Sequence, residues 1–155
     1  MRRREFITLL GATAAWPLAT RAQQPERVRR IGVLLATNES DFDQLAFKEA
    51  FVRGLQKLGW AAGTNVMIDY RWGGGDHDRI RLYAAELAGM QPDVIWTTGG
   101  LTLLALKRAT HIIPIIFTSI YDPVGSGFVA SLARPDGNIT GFTSGEFSMG
   151  GQHGR

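Results

Sequence analysis

Apolar residues fall along this chain in two rhythms. Unbroken runs at 31–36, 94–96 and 112–117 lack a polar residue at every second position, so both faces of each segment are to be buried. That is the pattern of central strands in a parallel sheet. Between the runs the period lengthens. Phe42, Leu45, Ala46, Ala50, Phe51, Leu55 and Leu58 recur at three- and four-residue steps, which predicts an amphipathic helix over 42–58 with one buried face. Ser40 or Asp41 is its expected cap and Gly59 its expected end. Residues 65–72 alternate in part and predict a second strand near a sheet edge, closed by Gly73, Gly74 and Gly75. Asp76 is placed to cap a helix over 77–88, which Gly89 ends. Residues 101–110 supply the crossover helix that two parallel strands require. A short helix over 124–132, weakened by Gly125 and Gly127, is expected next. A strong turn at 134–138 and a fifth strand at 139–143 follow. Strands and helices alternate throughout. With right-handed crossovers the expected fold is α/β, a doubly wound parallel five-stranded sheet with flanking helices.

Composition changes this picture only at the amino terminus. An apolar content of 45% and a charged content of 20% fit a packed domain rather than a disordered chain. The first 22 residues hold four Arg and one acid, which accounts for the whole net charge of +3. The other 13 basic and 13 acidic side chains cancel, so the body has no basic surplus for nucleic acid. The same leader has a basic start, an apolar stretch at 6–19 too short to span a membrane, and small residues Thr20 and Ala22 ahead of an expected cut after Ala22. Arg3-Arg4-Glu5-Phe6-Ile7 resembles the twin-arginine export motif, so an exported, periplasmic protein is expected. The division is then 1–22 as export signal, 23–147 as one α/β lobe, and 148–155 as a tail that neither packs nor caps and reads as an interrupted chain.

Catalytic chemistry finds no foothold. There is no Cys, so no disulfide or thiolate metal site is expected. His77, His111 and His153 are scattered without metal-ligand spacing. Gly73-Gly74-Gly75-Asp76 lacks the Lys and Ser/Thr of a phosphate loop and reads as a turn with a helix cap. Gly125-Ser126-Gly127 is not a nucleophile elbow. No enzyme, cofactor or metal is expected.

Several stretches carry a family resemblance: the leader Arg2-Arg3-Arg4-Glu5-Phe6-Ile7, Pro92-Asp93-Val94-Ile95, Asp122-Pro123-Val124-Gly125, Ser131-Leu132-Ala133-Arg134-Pro135, and Gly137-Asn138-Ile139-Thr140-Gly141. With them the chain, over residues 2–151, resembles the exported substrate-binding proteins of ABC transporters, and more closely the subfamily that includes binders of aromatic amino acids. The resemblance implies two α/β lobes that close on a small molecule and deliver it to a membrane permease. It also implies that the second lobe would follow near Gly151, so this chain is expected to be an amino-terminal half with weak, at best millimolar, binding by itself. The alternatives are a sensory or regulatory module on the same lobe and a non-functional fragment.

Candidate contacts follow from the strand ends. In open α/β sheets ligands sit outside the carboxyl ends of the strands. Three loops, 37–40, 97–101 and 118–122, are expected to meet there, and the resemblance places ligand contacts in them. The candidates are Thr37, Asn38, Thr98, Gly99, Gly100, Thr118, Ser119, Tyr121 and Asp122. Thr98, Gly99 and Gly100 stand where a strand meets a helix amino terminus, whose N–H groups favour a carboxylate. Thr37, Thr118 and Ser119 offer hydroxyls, Tyr121 a ring, and Asp122 an acceptor for an ammonium. Trp60, Trp72 and Trp96 are read as packing residues.

Overall fold

The computed structural model describes residues 27–131 and 137–143. The expected export signal, part of the 134–138 turn and the expected tail lie outside the described residues. Five strands, β1 (Arg29–Leu35), β2 (Val66–Trp72), β3 (Val94–Thr98), β4 (Ile115–Thr118) and β5 (Ile139–Gly141), form one sheet in the order β2-β1-β3-β4-β5. Every pairing is parallel. Among the described residues three helices cross between them: α1 (Phe42–Lys57), α2 (His77–Gly89) and α3 (Gly100–Ala109).

The strand order dictates which helix covers which face. The first crossover runs one way along the sheet and the later ones the other way, so right-handed connections put α1 on one face and α2 and α3 on the opposite one. The packing agrees. Leu34, Ile95, Ile115, Phe117 and Ile139 point to a core completed by Ile80, Ala84 and Leu87 of α2 and Leu103 and Leu106 of α3. Val33, Leu35, Trp96 and Ile116 point the other way, toward Phe47 and Phe51 of α1.

The two faces are unequal. Trp96 is stacked between the α1 rings at centroid separations of 4.8 Å to Phe47 and 4.7 Å to Phe51. Yet no α1 residue is fully buried. The expected apolar face is therefore corrected: Phe42, Leu45 and Leu58 are exposed, and the half-buried stripe is Gln44, Phe47, Lys48, Phe51, Val52 and Leu55. A helix turns 100° per residue, so choosing one pair of ridges for the sheet turns the adjoining apolar positions outward. Asp41 occupies the N-cap position without capping; its carboxylate accepts from the Asn38 N–H at 2.9 Å. At α2 the expected cap forms, with Asp76 accepting from the N–H groups of Asp78 and Arg79 at 2.9 and 3.0 Å. Gly89 is the last residue of α2 rather than its terminator, and Gln91 takes the left-handed position.

The short helix expected over 124–132 is also corrected. Its described part, to Ser131, is a run of turns. The N–H of Ser126 donates to the Asp122 carbonyl and those of Phe128 and Val129 both reach Pro123, an irregular ladder that Gly127 allows by taking φ 71°. The fourth strand begins at Ile115, three residues later than the apolar run. The Thr110 hydroxyl accepts from the Ile113 N–H at 3.2 Å, and the Asn138 amide donates to the Ile113 carbonyl at 2.7 Å. These bonds hold the run's first residues in a bend.

Candidate functional site

All five strands run the same way, so all their carboxyl ends share one rim. The loops after β1, β3 and β4 emerge there, which brings Thr37, Thr98 and Asp122 to one side of the molecule. The sheet changes winding direction between β1 and β3, the position at which open α/β sheets leave a crevice.

Within the rim the candidates separate. Thr98 and Thr118 are register partners on neighbouring strands, about 4.8 Å apart along the hydrogen-bonding direction. Both are half-buried. Their neighbours Thr97 and Phe117 point into the α2–α3 core, so Thr98 and Thr118 face the α1 side. Gly99 joins β3 to α3 with φ 84°, a left-handed value, and delivers the first N–H groups of α3 to the rim beside Gly100. Underneath, the Thr97 hydroxyl lies 2.8 Å from the Leu34 carbonyl and 2.6 Å from the Thr102 hydroxyl, which in turn reaches the Thr98 carbonyl at 2.7 Å. This buried pair fastens β1, β3 and the start of α3 together, so the 98–100 corner sits on a rigid base.

Thr37 and Asn38 lean away from that corner. The N–H groups of Gly73, Gly75 and Gly74 donate to the carbonyls of Leu35, Ala36 and Thr37 at 2.5–3.0 Å. The Asn38 side chain lies against Gly74, where a Cβ would stand 2.7 Å from its Oδ1. The loop after β1 is thus laced to the loop after β2, with its side chains exposed.

The loop after β4 is the most exposed candidate. Ser119 and Asp122 adopt φ values of 60° and 45°, two of the three left-handed non-glycine residues among those described. Such conformations cost free energy and cluster at ligand-binding loops. Ile120 and Pro123 are buried and anchor the loop, while Tyr121 is 87% exposed. Asp122 is partly committed, because its Oδ1 accepts from the Gly125 N–H at 2.7 Å and shapes the following turn.

Sequence reasoning missed Phe142. Its N–H donates to the Phe117 carbonyl at 3.0 Å and continues the β4–β5 register by one residue, so Phe142 stands beside Thr118. It is 73% exposed. The signal was available: with Ile139 inward, strict alternation sends Thr140 and Phe142 to the opposite face.

Residues 32–149 match the family model described as ABC transporter substrate binding protein. The chain is 29% identical over 116 residues to the tyrosine-binding protein of Clostridioides difficile (strain R20291), spanning 75% of this chain and 33% of that protein. Among solved structures it resembles the ligand-free, open form of a substrate binding protein with adhesive properties from Clostridium difficile, at 30% identity and a TM-score of 0.68 over 75% of this chain and 39% of that one. A conserved domain protein from Vibrio cholerae gives 31% identity and a TM-score of 0.69, over 76% and 39%. An ABC domain in complex with L-Trp from Streptococcus pneumoniae gives 29% and 0.66, over 74% and 38%. The chain therefore spans a third to two fifths of the length of these relatives.

Proposed function

The chain belongs to the ABC transporter substrate binding protein family, and we propose that it contributes one wall of a ligand cleft, at the rim formed by Thr98, Gly99, Gly100, Thr118, Ser119, Tyr121 and Asp122. The observation that carries this reading is the corner where half-buried Thr98 and Thr118 sit in register beside the amino terminus of α3. Hydroxyls and N–H groups converge there on a rigid base, the equipment for holding a small carboxylate without chemistry. The named ligands of two relatives, tyrosine and L-Trp, are amino acids, and an amino acid is the ligand class proposed here. Thr37 and Asn38 sit at the margin of this site.

The role is capture rather than catalysis. In a two-lobed protein, closure over the ligand makes new contacts from the opposite lobe, and the closed state is the one a permease distinguishes. The leader is read as an export signal of the twin-arginine type, which places this capture outside the cytoplasmic membrane with a permease as the partner. No nucleic acid or cofactor enters the reading.

The test is a titration of the 155-residue chain with L-tyrosine and L-tryptophan, followed by backbone amide shifts. Saturable shifts centred on 98–101 and 118–122 and on the strand end beside them, with dissociation constants in the millimolar range (about −4 kcal/mol), are expected. Thr98→Val together with Thr118→Val should abolish them. Shifts centred on the α2–α3 surface, or none at all, would refute the assignment.

A further inference from the structure

We infer that Phe142 is a specificity-determining contact, the surface on which the ring of an aromatic amino acid lies when its polar head occupies the 98–100 corner. The inference rests on the rim reading above and adds to it a residue, an orientation and a preference among amino acids.

Three side chains carry it. Thr98 and Thr118 are register partners, and one further step in the same register sets Phe142 beside Thr118. The three follow one another across β3, β4 and the end of β5, at the same level and on the same face. Two strand spacings, about 10 Å in all, separate the first from the last. That is the span of one amino-acid-sized ligand laid along the rim. The order along the row is polar to apolar: N–H groups and a hydroxyl at Thr98 and Gly100, a hydroxyl at Thr118, an aromatic ring at Phe142.

Phe142 does not serve the core. Ile139 is buried among the α2–α3 residues, and Gly141 faces the same way, against the Phe117 ring. Phe142 therefore projects on the other side. On that side α1 reaches the sheet through Phe47 and Phe51 at Trp96, and among the described residues no helix follows over β4 and β5. A phenylalanine ring left 73% exposed at the end of a strand, next to paired hydroxyls, is matched by a ligand with an apolar end and a polar end. Aliphatic side chains would touch the ring, but only a second ring gains the offset-stacked or edge-to-face contact.

Ligand-observed NMR on the 155-residue chain, with L-tryptophan, L-tyrosine and L-alanine as probes, tests this. The parent should bind the two aromatic amino acids more tightly than alanine. Phe142→Ala should lose about tenfold for tryptophan and tyrosine, the equivalent of ~1.4 kcal/mol, and leave alanine unchanged. Phe142→Leu, which keeps apolar bulk without the aromatic face, should lose the preference as well, and Phe142→Trp should keep it. Thermal melts coincident with the parent are expected, since the side chain is exposed; if Phe142→Ala melts lower, the Leu and Trp variants decide. Thr98→Val should weaken all three ligands together. Unchanged tryptophan and tyrosine affinity in Phe142→Ala and Phe142→Leu would overturn the role of Phe142 while leaving the Thr98 corner standing. Failure of the parent to bind any of the three probes would overturn both.

Discussion

Single side chains at the two ends of the strands do opposite jobs. At the amino-terminal end Asp93 works as a clamp. Its Oδ2 accepts from the Arg30 N–H at 2.8 Å, and its Oδ1 meets the guanidinium groups of Arg29 at 3.0 Å and Arg27 at 3.1 Å. The Arg30 N–H foremost, and then the two arginines, hold the carboxyl below the usual carboxylate range against the opposing pull of partial burial. A depressed folded-state pKa adds stability that is complete above the unfolded-chain value, about 3.9, and is lost as pH falls through the lower folded value. Asp93→Asn should therefore cost about 1–2 kcal/mol in urea unfolding at pH 7, and the gap to the parent should narrow at pH 3. A gap of equal size at both pH values would show that the charge is not what matters. At the carboxyl-terminal end Asp122, Ser119 and Tyr121 are spent on an exposed, partly strained loop instead. Both Asp93 and Asp122 sit in the stretches that carry the family resemblance, yet the first is architectural and only the second stands near the proposed ligand.

At the scale of elements, stability is concentrated on one face. Leu87 of α2 and Leu103 and Leu106 of α3 are fully buried, whereas α1 buries no residue completely. Leu103→Ala should cost about 2–5 kcal/mol, while Leu45→Ala on α1, 57% exposed, should stay within about 0.5 kcal/mol. Native-state hydrogen exchange should show α1 opening before α2 and α3; equal protection in all three helices would contradict this. The short β5 depends on Gly141, since a Cβ there would run into the Phe117 carbonyl oxygen and lie 2.6 Å from its ring. Gly141→Ala should push the edge strand off β4, at a cost of about 1–3 kcal/mol, and speed proteolysis after β4. An unchanged digestion pattern would show that β5 is not held this way.

For the whole molecule, the all-parallel topology brings separate loops to one rim. The strand order β2-β1-β3-β4-β5 also leaves the face beside β4 and β5 without a helix among the described residues, and the row of Thr98, Thr118 and Phe142 lies there. The fold class was legible in the chain because buried parallel strands require unbroken apolar runs, and 94–96 and 115–117 carry them. Strand bounds were less legible: Thr97, Thr98 and Thr118, expected in loops, are the last residues of β3 and β4, and β5 stops at Gly141 rather than 143. Asp76 was recognisable as a cap because a capping carboxylate acts within its own helical turn. Which ridge of α1 meets the sheet was not legible: apolar residues surround more of that helix than one face can bury, and Phe47 and Phe51 meet Val33, Leu35 and Trp96, partners on β1 and β3 that the helix's own sequence does not name. The turn run after Pro123 and the division of the rim, with Asn38 drawn toward Gly74 and Phe142 set beside Thr118, likewise depend on partners distant in sequence. Local periodicity determines which segments become strands and helices, because those periods are set by backbone geometry. Only the assembled sheet decides which side chains stand together, because register and crossover direction are properties of pairs of segments and belong to no segment alone.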